Sequence, residues 1–113
     1  MTQVDTPYKA VEFIIKNAPE HAKAKARRRY LEEFRKSKKA MLMKEALERK
    51  IEAVNAQERE AYSNPEYIEL LKGLAEAIEI EENLSWQMQA AKIKTEIWRT
   101  EQANNRVQDG VTL

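Results

Sequence analysis

The chain has 113 residues, with 20 Lys and Arg against 19 Asp and Glu, and contains only two Gly, three Pro and no Cys. So few turn formers exclude a β-sandwich or barrel, and the length fits one domain. The absence of cysteine excludes a disulfide framework, a thiolate zinc site and a cysteine nucleophile. With a single histidine, His21, a histidine-based catalytic site or metal cage would need a second subunit; His21 itself is expected to be an ordinary exposed residue. An all-α protein that is not an enzyme and takes no cofactor is therefore expected. Neither a secretory leader nor a membrane-length apolar run is visible in the sequence, so a cytoplasmic protein without a membrane partner is expected.

The prolines set the order of elements. Thr6 and Pro7 form an N-cap and first-turn pair, and Tyr8, Val11, Phe13, Ile14 and Ile15 follow at helical spacing, predicting a short helix over about 7–17. Ala18 precedes Pro19, whose ring disfavours the α region for its neighbour, so the first helix is expected to stop there. Pro19 opens a second helix over about 19–62, with an apolar stripe of Tyr30, Leu31, Phe34, Ala40, Met41, Met43, Leu47, Ile51 and Val54.

Ser63, Asn64, Pro65 and Glu66 combine a Ser-x-x-Glu capping box with an Asn-Pro start, predicting a third helix over about 65–107. Its stripe runs through Tyr67, Leu70, Leu71, Leu74, Ile78, Leu84, Met88 and Ala91 to Ile97 and Trp98, and Gly110 is its expected stop. Gly73 within it points to close helix contact or a slight kink. The two long segments have nearly equal length, so a turn at Tyr62–Asn64 would fold them into a long antiparallel helical hairpin, coiled-coil-like. Further apolar residues, including Ile80, Trp86 and Ile93, lie off the stripe, and two helices cannot bury them all. Either the short first helix covers part of the excess or the chain self-associates through the remainder, and a homo-oligomer is expected.

The neutral total conceals a separation of charge. Residues 21–50 hold twelve basic residues and four acids, a net of +8; residues 51–85 hold nine acids and two basic residues, a net of −7; residues 86–106 return to +2. A turn at residues 62–64 would lay Arg27–Arg29 beside Arg99 and collect the acids at the bend. The bland reading of the basic run is a solvated face with pairs such as Glu32 with Lys36 and Glu45 with Arg49. Against it, no acid lies between Lys23 and Arg29, and Tyr30 and Trp98 are at hand for base stacking, although core packing is the expected place for each of the two rings taken singly. Glu76, Glu79, Glu81 and Glu82 lack the Glu-x-x-His pairs of a di-iron bundle; they are expected to solvate the bend or meet a neighbouring subunit's basic end. The candidate nucleic-acid contacts are Lys23, Lys25, Arg27, Arg28, Arg29, Tyr30, Arg35, Lys36, Lys38 and Lys39, with Lys92, Lys94 and Arg99 from the third helix.

The segments AKAKARRRYLEEFRKSKKAML (22–42), AYSNPEYIELL (61–71) and AAKIKTEIWRTEQANNR (90–106) resemble a group of small all-helical phage proteins associated with recombination genes, distantly similar to UvsY-like recombination mediators. The resemblance implies a homo-oligomer that binds single-stranded DNA through Lys23, Lys25, Arg27, Arg28, Arg29, Arg35, Lys36, Lys38 and Lys39. It further implies a protein that assists a recombinase on strands covered by single-strand-binding protein, in the host cell cytoplasm. The alternative expectation is a protein–protein adaptor or inhibitor that docks a host or phage partner on its apolar face; a third is a head-to-tail polymer joined through opposite charged ends.

Overall fold

The structure, a computed structural model, describes the backbone of residues 6–112 and the side chains of residues 6–110. Three helices follow in order: α1 (Pro7–Glu48), α2 (Val54–Ser63) and α3 (Pro65–Thr112). The described chain is all-α, and its helices form two compact units. Unit 1 takes residues 6–22 and 82–112 among those described, and unit 2 takes Lys23–Glu81, so α1 and α3 each contribute to both.

The start of α1 is as expected: the Thr6 hydroxyl accepts from the Lys9 amide at 3.2 Å, and the Thr6 carbonyl from the Ala10 amide at 2.9 Å. The end is not. No break separates a helix over 7–17 from one beginning at Pro19, because Pro19 lies inside α1. Its missing amide costs the helix about 3 kcal/mol, but Asn17, His21 and Ala24 on either side are buried or half-buried. Packing across the proline holds the helix through it.

The second helix expected over 19–62 is likewise divided, by a reversal at residues 49–53. Lys50 adopts a left-handed φ of 75°. The Ile51 amide reaches the Ala46 carbonyl at 3.0 Å and the Lys50 amide the Leu47 carbonyl at 2.9 Å, which is the paired hydrogen bonding of a Schellman stop. Buried Gln57 then ties the returning chain down by donating through Nε2 to the Ile51 carbonyl at 2.9 Å. The turn expected at Tyr62–Asn64 is instead the joint between α2 and α3. There Asn64 caps α3, its Oδ1 accepting from the Glu66 amide at 2.8 Å, while Ser63 donates back to the Arg59 carbonyl at 2.7 Å. The Asn-Pro start is used and the capping box is not. Gly110 does not stop α3, which runs to Thr112 with no glycine at positive φ among the described residues.

Unit 2 is an antiparallel helical hairpin. Arg28 meets Glu81 and Lys38 meets Glu66, so positions on α3 fall as those on α1 rise. Buried and half-buried residues alternate at steps of three and four: Ala24, Arg28, Leu31, Arg35, Lys38 and Leu42 on α1, and Tyr67, Leu70, Leu74, Ala77 and Glu81 on α3. This is the spacing of a helix–helix seam. Leu42, Ala61 and Tyr67 form its core cluster, with Met43 packed against them. In unit 1 the same spacing recurs at Ala10, Ile14, Asn17 and His21 on α1 and at Leu84, Met88, Ala91 and Thr95 on α3. His21 is therefore half-buried rather than exposed, and it shares a groove with Ile14, Met88 and Lys92.

Six of the nine buried apolar residues described are alanines: Ala10, Ala24, Ala46, Ala61, Ala77 and Ala91. Alanine seams bring helices close but bury little apolar area, so the larger side chains remain outside. Of the stripe expected on the second helix, Tyr30, Met41, Leu47 and Val54 are exposed. Gly73 makes no close contact, since an added Cβ would meet nothing within 4 Å.

Two substitutions follow from these backbone facts. Gly73→Ala removes a flexible residue from an open helical site and is expected to stabilise by about 0.5–1 kcal/mol. Lys50→Gly relieves a left-handed side chain and is expected to gain up to about 1 kcal/mol. Each should raise the thermal midpoint by a few degrees with the helical circular dichroism signal unchanged; a drop at Lys50→Gly would contradict the turn geometry.

Candidate nucleic-acid interface

The reversal at residues 49–53 decides which charges meet. Arg28 donates through Nε to Glu32 at 2.8 Å and through Nη1 to Glu81 at 3.2 Å. Lys38 Nζ lies 2.8 Å from Glu66, Lys39 Nζ 3.7 Å from Glu58, and Arg49 Nη1 3.2 Å from Glu60. Much of the basic α1 is thus set against acids of α2 and α3. Arg28 faces Glu81 rather than Arg99, which belongs to unit 1. The acids do not gather at a bend. The expected pairs Glu32 with Lys36 and Glu45 with Arg49 give way to Glu32 with Arg28 and Arg49 with Glu60, and Lys36 pairs with Glu33.

The electrostatics follow these contacts. The hydrogen bond that Arg28 donates to Glu32, then the charge of Glu81, raises the Arg28 pKa above its ordinary value. Lys39 sits with Nζ 4.8 Å from the Tyr62 ring centroid. Tyr62 is the largest influence raising its pKa, followed among the raising effects by Glu58, against an opposing loss of solvation. Because the folded value is raised, this contribution to stability is complete below the ordinary lysine value of 10.5 and fades as pH climbs through the folded value. These cations face acids or a ring across the hairpin.

The remaining candidates divide by unit. In unit 2, Lys23, Lys25, Arg27 and Arg29 are exposed. Lys25, Arg27 and Arg29 have no ion-pair partner among the described residues; Arg35 is half-buried in the seam. Tyr30 is 64% exposed and stacks on Phe34, with ring centroids 5.8 Å apart and planes 6° from parallel. Lys23, Arg27, Tyr30 and Phe34 fall at i, i+4, i+7 and i+11, so cations and stacked rings share one helical face. Beyond Phe34 the face runs into a groove with Lys38, Leu70 and the carboxylates of Glu66 and Glu69, which repel phosphate. The favourable surface is therefore the face of Lys23, Arg27, Tyr30 and Phe34. In unit 1, Lys92, Lys94 and Arg99 are exposed on α3, as is Trp98.

Phe34 was legible only as a core residue, and its part in the stacked pair needs the seam to be known. Among the described residues, no group of three or more His, Asp or Glu is arranged to hold a metal ion, and no helix is long and apolar enough to cross a membrane. In comparisons with known proteins, no family model, curated protein or solved structure matches the chain.

The ion pair across the seam gives a direct test. Glu81→Arg places two like charges face to face and is expected to lower the thermal midpoint; adding Arg28→Glu restores the attraction and should recover most of the loss. Failure of the second change to compensate the first would contradict the Arg28–Glu81 register.

Proposed function

We propose that the chain is a non-enzymatic accessory protein that binds single-stranded DNA without regard to sequence and acts as a homo-oligomer in the host cytoplasm. What carries this reading is the stretch from Lys23 to Phe34. Acids lie against Arg28, Lys38, Lys39 and Arg49, whereas Arg27 stands exposed on the face of the Tyr30–Phe34 pair, and Lys25 and Arg29 are exposed on the other side of the same helix. Exposed cations attract phosphate, and a base stacked on an aromatic ring contributes about 1–3 kcal/mol. Double strands hide their base faces, so Tyr30 favours single strands. No side-chain pattern here reads base edges, which makes sequence-independent binding the natural outcome. Several copies on one strand would add their weak contacts by avidity.

Service to a recombinase, on strands held by single-strand-binding protein, is supported by the sequence resemblance of segments 22–42, 61–71 and 90–106. A second reading, a protein–protein adaptor without affinity for nucleic acid, is favoured by the large apolar side chains exposed on unit 1, among them Tyr8, Ile15, Trp86 and Ile93.

Fluorescence anisotropy with a labelled oligonucleotide separates them. The full chain is expected to bind a single strand at low salt and more weakly as salt rises. Arg27→Ala with Arg29→Ala should reduce the slope of log affinity against log salt by about 1.4, because two phosphates of a single strand are then no longer neutralised. Tyr30→Ala should weaken single-strand binding roughly tenfold while leaving that slope unchanged. No binding at low salt would leave the adaptor reading standing.

A further inference from the structure

The seam of unit 1 uses Leu84, Met88, Ala91 and Thr95 on α3. Two residues after each comes Trp86, Ala90, Ile93 and Ile97, and a step of two turns a helix by about 200°. This second set therefore lies on the side of α3 facing away from α1, and it repeats the same four–three–four spacing. All four residues are exposed: Trp86 by 64%, Ile93 by 51% and Ile97 by 52%, with Ala90 beside them. A stripe at this spacing fits another helix, since it presents a knob at every turn along one line.

We infer that a second copy of this chain covers the stripe, α3 against α3 in antiparallel order about a two-fold axis between Ala91 and Lys92. The inference names the surface for the oligomer in the proposed function and stands apart from the nucleic-acid reading. Two observations select this occupant. First, the stripe is its own complement. Reversed about that axis, Trp86 comes to the second copy's Ile97 and Ala90 to the second copy's Ile93, so the smallest residue meets a branched one and the two tryptophans do not collide. A symmetric pair needs a patch that matches itself in this way.

Second, the flanks agree in charge. In antiparallel pairing each flank meets its own kind: beside the axis Glu96 falls near Gln89 and Lys94 near Gln87, with no like charges opposed there.

Sedimentation equilibrium of the full chain without DNA tests this. The wild type is expected at twice the 13.2 kDa chain mass, and Ile93→Lys, which changes only the outer face, at half the wild-type value with its helical signal intact. Because the chain has no cysteine, Ala90→Cys and Ile93→Cys copies can be mixed and oxidised; the 90-to-93 cross-link should dominate over either self-link. A wild type that sediments as a monomer at about 100 μM overturns the inference and leaves the stripe to a different partner. An Ile93→Lys protein that remains dimeric also overturns it, by placing the contact elsewhere. Neither result depends on whether the oligonucleotide binds.

Discussion

The left-handed turn at Lys50 is the constraint on which the hairpin of unit 2 depends. By ending α1 at Glu48 and sending the chain back at residues 49–53, it decides which residues of α1 and α3 face one another. The basic stretch 21–50 and the acidic stretch 51–85 then run alongside each other in opposite directions. Segregation of charge along the chain becomes neutralisation in space, as Arg28 meets Glu81 and Lys38 meets Glu66. A reversal about twelve residues later would have laid Arg27–Arg29 beside Arg99. The turn is made by a lysine at a position that favours glycine, and two backbone hydrogen bonds together with Gln57 hold it there.

The composition of the seam explains the surface. With alanine at Ala24 and Ala77 and charged residues at Arg28, Arg35, Lys38 and Glu81, the hairpin interior has little room for large apolar groups. Among the described residues no large side chain is completely buried. Half-buried charges stabilise weakly but discriminate strongly between registers, because a shift would leave Glu81 without its arginine. What the seam does not take stays on the outside of the helices as Tyr30, Trp86, Ile93 and Ile97. Those residues are the ones available to a strand or to a second copy.

Much of the fold was legible in the sequence. Helical spacing and the shortage of Gly and Pro identified an all-α hairpin, and Thr6-Pro7 and Asn64-Pro65 marked true helix starts. The reversal was not legible, because the residue that makes it is Lys50 and not the Gly or Asn that announces a left-handed stop. Pro19 misled in the opposite sense, as its local cost is outweighed by packing on both sides. The apolar stripe of the second helix was placed about a quarter-turn from the real seam, because Arg28, Arg35 and Lys38 occupy seam positions that a count of apolar residues passes over. The candidate site was legible as a basic run with an aromatic residue. Which of its cations support the hairpin and which remain exposed became visible only once the register was known.

The register is the central claim, and the contacts of one side chain report it most directly. Leu42 packs with Ala61 and Tyr67 when the chain turns at residues 49–53, whereas a turn at residues 62–64 would bring it to Leu84 and Met88. In a nuclear Overhauser spectrum of the methyl-labelled protein, the Leu42 methyls are expected to show cross-peaks to the Tyr67 ring and the Ala61 methyl. Cross-peaks from Leu42 to Leu84 or Met88 in their place would contradict the account.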